Sequence, residues 1–234
     1  MSEPSKPWDM SNPTWLIHKT WAGESSARVL LFTRDQGLIW AKCHGGWGLK
    51  KQAMLQAFTP LWIELTQRQT WYYVRHMEIA GSAFEFTGIY LFSALYINEL
   101  LYHALRPQDP YSDLYDAYVT TLQQVSLVAT KTDLEPILRR FEWKVLTSIG
   151  YAMSLTHDAQ THTPILATHY YSFQAGLGFL MAPTGIAGAD ILALANDELH
   201  DPNVLKTAKH IMRRALEHAL GGKTIKSRAF FVKA

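Results

Sequence analysis

Five short runs with strand chemistry, crowded between Thr14 and Ile79, constrain this chain more than any other feature. Trp15-Leu-Ile-His-Lys-Thr-Trp21 and Ala27-Arg-Val-Leu-Leu-Phe-Thr33 are aromatic and β-branched, and Asp35-Gln-Gly37 is a turn into Leu38-Ile-Trp-Ala-Lys42. Pro60 to Thr66 alternates Leu61, Ile63 and Leu65 against Trp62, Glu64 and Thr66, and Thr70 to Ile79 is a further run of the same kind. Five strands in so short a span suggest a small closed barrel, and the count fits an OB-fold over residues 14–80. From Phe84 the pattern turns helical, so the fold class is α+β: a β-barrel followed by a mainly α-helical domain over residues 81–234.

The helical part opens with Phe84 to Leu105, apolar almost all round and long enough to span a membrane. Glu85, Asn98, Glu99 and His103 argue for a buried central helix instead, because charges in hydrocarbon are costly. Asn98 and Glu99 then need polar partners, and a structural hydrogen-bond network is the expected role. A second helix runs from about Tyr111 to Val128, and a third opens with a Thr132-Asp-Leu-Glu135 capping box and ends at Ile149 before Gly150. Residues 152–184 read as an irregular lobe in which Tyr170–Phe173 and Gly178–Met181 pair as a hairpin, and Gly188–Ala195 as a short helix. The last helix, 202–220, has Asp201 as N-cap, Pro202 at its first position and Gly221-Gly222 at its end.

In that last helix Val204, Ala208, Ile211, Ala215 and Ala219 define an inward face, with Lys206, Lys209, Arg213 and Arg214 opposite. Lys223, Lys226 and Arg228 continue the basic run. The overall charge of +2 hides this asymmetry: residues 1–80 carry nine basic and six acidic side chains, 81–204 five and thirteen, and 205–234 eight and one. Two basic ends folded against each other would make one positive surface suited to a polyanion. Met1 to Pro13 is polar, rich in Pro and Ser, and lacks the apolar core of a signal peptide, so it reads as a loose extension. The single cysteine, Cys43, excludes an intramolecular disulfide and a cysteine-rich zinc site, and points to the reducing cytoplasm. Phosphate-loop, dinucleotide, nucleophile-elbow and zinc-protease motifs are all missing. Gly221-Gly-Lys-Thr224 follows a helix and lacks the earlier glycine of a phosphate loop, so no enzymatic activity or cofactor is expected.

Leu220-Gly-Gly-Lys-Thr-Ile-Lys-Ser-Arg-Ala-Phe-Phe231 resembles the LGGK-x-x-KSR-x-x-F ending of the bacterial RecO family. Tyr96-Ile-Asn-Glu-Leu-Leu101 resembles that family's YINELL helix, and Leu138-Arg-Arg-Phe-Glu142 with Gly150-Tyr151 its LRRFE…GY helix. Ala57-Phe-Thr-Pro-Leu61 is a fourth match, and the order and spacing agree across about residues 14 to 231. The resemblance implies an OB-fold barrel and a non-enzymatic, nucleoid-associated recombination mediator in DNA repair. Such a protein binds single- and double-stranded DNA, anneals complementary strands, and acts with RecR to help load RecA on coated strands. It also implies that the acidic, aromatic-ended tail of single-stranded-DNA-binding protein docks on the helical domain, where Arg139, Arg140 and Lys144 suit such a ligand.

For DNA the expected barrel contacts are Lys42, Lys50 and Lys51 on or beside a Cys43–Ala53 loop, with Trp40, Trp62, Trp71, Tyr72 and Tyr73 as stacking rings or as barrel core. Lys206, Lys209, Arg213, Arg214, Lys223, Lys226 and Arg228 are the expected C-terminal electrostatic contacts. The loop departs from the family's basic pattern, with glycines and a tryptophan where Arg and Lys are more often found, which predicts weaker or more aromatic binding there. Many RecO-like proteins hold zinc on four cysteines in the lobe. Here only His157, His162 and His169 remain, and a metal-free lobe is expected. Two other readings stay open: an adaptor that holds single-stranded-DNA-binding protein with weak DNA binding, and a general RNA-binding OB module.

Overall fold

The computed structural model describes residues 12–232, so the expected loose N-terminal extension lies, but for Asn12 and Pro13, outside the described residues. By packing, the chain groups into two compact units: residues up to Ser126 together with the tail from Ser227, and Leu127–Lys226. The change from strand to helix falls between Ile79 and Gly88, but packing groups the next two helices with the barrel.

The first unit begins with strands β1 (Thr14–Trp21), β2 (Ala27–Thr33) and β3 (Gly37–Cys43), helix α1 (Leu49–Met54), and strands β4 (Pro60–Arg68) and β5 (Trp71–Ile79). The strands form a closed barrel in the order β1-β2-β3-β5-β4, shut by antiparallel pairing of Thr14 with Leu61 and by parallel pairing of Ala41 with Tyr72. Closure removes the free edges that an open five-stranded sheet would expose. The barrel core is set by strand alternation: Val29 and Leu31 from β2, Ile39 and Ala41 from β3, Leu61, Ile63 and Leu65 from β4, and Tyr72 and Val74 from β5. The expected Cys43–Ala53 loop is in part helical. Leu49–Met54 forms α1, because the segment must bring Met54 and Leu55 back onto the barrel core.

Helices α2 (Gly88–Ala104) and α3 (Ser112–Leu127) follow. The polar groups expected inside α2 find structural partners. Asn98 Oδ1 accepts from the Tyr118 hydroxyl at 2.9 Å, and Asn98 Nδ2 reaches the Leu16 carbonyl of β1 at 3.5 Å. Tyr118 is fully buried, and desolvation raises its pKa. Trp15 Nε1 donates to the Tyr115 hydroxyl, which in turn donates to the Pro13 carbonyl. Glu99 accepts from the Ser227 backbone N–H at 2.8 Å, and this ties the tail to α2. A short 3-10 helix, Lys226–Val232, then sets Phe230 against Phe92 and Phe231 against Tyr96.

The β2–β3 turn is held where Gln108 N–H donates to the Leu38 carbonyl at 2.8 Å. Gly37 there has φ +64°, and a Cβ on it would lie 1.9 Å from the Asp109 carbonyl oxygen. Gly37→Ala therefore combines left-handed strain with a backbone clash, and is expected to cost ~2 kcal/mol or more, read as a lower urea midpoint.

The second unit holds α4 (Lys131–Ser148), a sheet of β6 (Tyr170–Gln174), β7 (Gly178–Ala182) and β8 (Ile186–Ala187) in the order β7-β6-β8, then α5 (Gly188–Ala195) and α6 (Pro202–Ala219). The hairpin and α5 fall where expected, and a third short strand joins them. The cap of α4 is Thr130, not Thr132: Thr130 Oγ1 accepts from Asp133 N–H at 3.2 Å and donates to the Asp133 carboxylate at 2.6 Å. Asp201 caps α6 as expected, and Gly221 and Gly222, at φ +61° and +74°, end it.

The irregular lobe is pinned by one carboxylate. Asp158, 2% exposed, accepts from the backbone N–H groups of Gln160 and Thr161 at 2.8 Å and of Met181 at 2.7 Å. These hydrogen bonds, that of Thr161 foremost, outweigh desolvation and draw its pKa down to about 2. His157, His162 and His169 do not converge, and among the described residues no three ligating side chains are grouped to hold a metal ion. No helix among the described residues is long and apolar enough to cross a membrane.

Candidate nucleic-acid interface

The outer face of β2, β3 and β5 interleaves cations with rings. Arg28 and Lys42 lie directly opposite each other in the β2–β3 register, and Lys42 lies opposite Tyr73 in the β3–β5 register. The Arg28 guanidinium sits 4.3 Å from the Trp40 ring centroid and 5.2 Å from that of Trp71. The Lys42 ammonium is 4.5 Å from Trp71 and 5.9 Å from Tyr73, and Arg68 at the end of β4 is 5.8 Å from Tyr73. His44 stacks on Tyr73 with centroids 5.9 Å apart. Trp40, Trp71 and Tyr73 are half-buried, so each supports its cation and keeps part of its surface in water.

Like charges directly opposite on a sheet are destabilising. The side chains of Arg28, Lys42 and Arg68 nevertheless make no ion pair or hydrogen bond among the described residues, and the Arg28 Nε is buried without a partner. Cation–π contact, ~0.5–1 kcal/mol each at exposed sites, relieves some of that repulsion and leaves the charge uncompensated. A face of uncompensated cations alternating with flat rings suits a polyanion that carries stackable bases.

Of the five rings singled out from sequence, three belong to this face. Tyr72 takes the other role open to these rings: it is in the barrel core, because neighbours on a strand must point to opposite sides. Trp62 is half-buried on β4 opposite Glu78, and makes no ring contact with the set. Of the three lysines only Lys42 is on the face. Lys50 is exposed on α1, and Lys51 donates to the His44 carbonyl at 2.8 Å. Arg28 and Arg68 were missed from sequence. Counting by twos back along β2 from the turn, against Trp40 and Lys42 along β3, would have placed Arg28 outward beside them.

A family model described as "Recombination protein O C terminal" matches residues 86–229. The DNA repair protein RecO of Legionella pneumophila (strain Lens) is 47% identical over 218 residues, covering 93% of this chain and 95% of that protein. The chain belongs to the RecO family. The RecO proteins of Pseudomonas putida (strain W619) and Stutzerimonas stutzeri (strain A1501) are 37% identical over 228 residues and 36% over 231, again covering nearly all of both chains. This is a family of DNA repair and recombination proteins, and the five-stranded barrel followed by helices is the architecture that the RecO resemblance implied.

The other residues singled out in this RecO chain are placed less uniformly. Along α6, Lys209 pairs with Glu135 at 2.6 Å and Arg213 with Glu217 at 3.1 Å, while Arg214 lies 5.6 Å from the Phe173 ring. Lys206 and Lys223 are exposed, and their side chains make no ion pair or hydrogen bond among the described residues. Lys226 is exposed, and Arg228 is half-buried over the Tyr96 ring at 5.8 Å. The paired arginines of α4 are placed differently from each other. Arg139 is buried and bonds Glu142 at 2.7 Å, whereas Arg140 is exposed and holds both Asp197 oxygens from its Nε at 2.9 Å. Positions 139 and 140 lie about 100° apart on a helix, so one turns inward. Lys144 is half-buried on the same helix.

Proposed function

We propose that this chain is a non-enzymatic recombination mediator in DNA repair that binds DNA, anneals complementary single strands, and acts with RecR and single-stranded-DNA-binding protein to help load RecA. The observation that carries the DNA-binding part is the opposed Arg28–Lys42 pair on the barrel, without an acidic partner among the described residues and set against Trp40, Trp71 and Tyr73. Stacking contributes ~1–3 kcal/mol per base, and phosphate contacts add a salt-dependent attraction. Holding two strands on cationic surfaces screens their repulsion and raises their local concentration, which favours annealing. No group-transfer chemistry is required of the protein.

Lys206, Arg214, Lys223 and Lys226 supply the C-terminal phosphate contacts, together with Lys209, Arg213 and Arg228. Lys209 and Arg213 exchange exposed pairs with Glu135 and Glu217 for phosphate, and exposed pairs of this kind contribute only ~0–1 kcal/mol. The acidic tail of single-stranded-DNA-binding protein engages Arg140, by the same exchange with Asp197, and Lys144 beside it on the helix, while Arg139 acts from within, by fixing the helix through Glu142.

Annealing of complementary oligonucleotides precoated with their single-strand-binding protein tests this reading. Annealing should be salt-sensitive, and should fall when Arg213, Arg214, Lys223 and Lys226 are neutralised with the fold retained. Tight binding to the coating protein without annealing would instead indicate the adaptor, and equal affinity for RNA and DNA without annealing an RNA-binding module.

A further inference from the structure

The aromatic face does not stop at the barrel. Trp40 is followed, away from Arg28, by His18 of β1 and then by Tyr102 near the end of α2. The His18 and Trp40 ring centroids are 6.3 Å apart, those of His18 and Tyr102 5.0 Å, and those of Trp40 and Tyr102 6.5 Å. These elements belong to one compact unit, and the three rings touch one another edge-on or tilted.

Three details mark Tyr102 as more than packing. Its neighbours Leu100 and Leu101 are fully buried, whereas Tyr102 is 39% exposed. Its hydroxyl makes no hydrogen bond among the described residues, so no polar contact with the protein fixes this exposed ring. The β1–β2 register also shifts between Leu16 and His18, a bulge of the kind that re-aims a side chain, and His18 is the residue it turns toward Trp40 and Tyr102. Burial lowers the His18 pKa, so the imidazole is neutral at pH 7. At this end the spacer between rings is therefore a flat uncharged ring, where at the other end it is Arg28 or Lys42.

We propose that Tyr102, presented by α2 beside His18 and Trp40, is a further base-stacking position that carries a single-stranded nucleic acid off the barrel and onto the helical segment. The inference rests on the barrel face being a single-strand site. A strand stacked on Tyr73, Trp71 and Trp40 leaves the barrel at Trp40, and passes His18 to meet Tyr102. Phosphates dominate between Tyr73 and Trp40, where the cations lie, and stacking dominates between Trp40 and Tyr102.

The experiment is a length series. The intact chain, Tyr102→Ala, Tyr102→Phe and Trp71→Ala are titrated with oligothymidylates spanning about 4 to 16 nucleotides, the site-size range of OB-folds. For Tyr102→Ala the expected result is unchanged affinity for the shortest oligonucleotides that bind, a loss of about fivefold or more on the longest, and saturation at a shorter length. Tyr102→Phe, which keeps the ring, should follow the intact chain, and Trp71→Ala should weaken binding at every length. Tyr102→Ala matching the intact chain throughout would overturn the proposal, as would an equal loss at all lengths, since the ring would then support the central site instead of extending it. Failure of the intact chain to bind at any length, or indifference to Trp71→Ala, would bring down the barrel reading, and this proposal with it.

Discussion

Changing Arg28, Lys42 and Arg68 together to glutamine is expected to weaken single-strand binding at least ~10-fold at low salt, and to lower the slope of log K against log salt by about 2. The slope follows from about 0.7 per phosphate contact on single strands, multiplied over three contacts. Stability should change by no more than ~1 kcal/mol. Each lost cation–π contact costs ~0.5–1 kcal/mol, but relief of the opposed Arg28–Lys42 charges offsets part of it. Measuring both quantities separates function from folding: binding falls while the denaturation midpoint barely moves. A triple variant that binds as the intact chain does, with the same salt slope, would remove this face from the DNA contact. Neutralising Lys50 alone should do little, because it stands apart on α1 and touches none of the rings.

The second large effect concerns the lobe. Asp158→Asn is expected to destabilise the second unit by ~2–3 kcal/mol, because hydrogen bonds to a charged acceptor contribute ~1.5–3 kcal/mol. In the native protein both carboxylate oxygens are used, Oδ1 by Gln160 and Thr161 and Oδ2 by Met181. An amide puts an N–H donor against at least one of those N–H groups, so the loss is not rescued by shape. The same carboxylate makes a specific prediction for pH. Its pKa is drawn down to about 2 in the folded chain, against an ordinary value of about 3.9 in the unfolded one. Its stabilisation is therefore fully present above about pH 4 and is lost as pH falls toward 2. Urea midpoints should drop over that interval in the intact chain, and should drop less in Asp158→Asn. Equal acid sensitivity in both would show that other carboxylates govern the loss.

Legibility from sequence followed the range of the interaction involved. The five strands, the hairpin, α5 and the α6 cap depend on alternation and on residues within one turn, and they were readable. The cap of α4 was misassigned by two residues because Thr130-x-x-Asp133 and Thr132-x-x-Glu135 satisfy the same local pattern. Tyr72 was grouped with Trp71 and Tyr73 by composition, although strand parity separates it from both. For the candidate site, Trp40, Lys42, Trp71 and Tyr73 were visible as a list. Their mutual arrangement was not, because β3 and β5 meet in parallel across an intervening helix and strand. Among the basic residues, nothing in the local spacing shows that Lys209 meets a glutamate 74 positions away or that Arg140 meets Asp197.

By itself, then, the order of residues determined the α+β class, the five barrel strands, the hairpin and the longer helices, the basic C-terminus and the family. Alternation, capping and motif spacing are short-range properties that survive in one dimension. Only the tertiary structure decided which cations remain uncompensated, that Arg139 is buried against Glu142, that Asp158 pins the lobe, and that Tyr102 stands in line with His18 and Trp40. Those outcomes depend on which distant side chains closure of the barrel and packing of the helices bring within about 6 Å, where charge pairing and ring contact take effect.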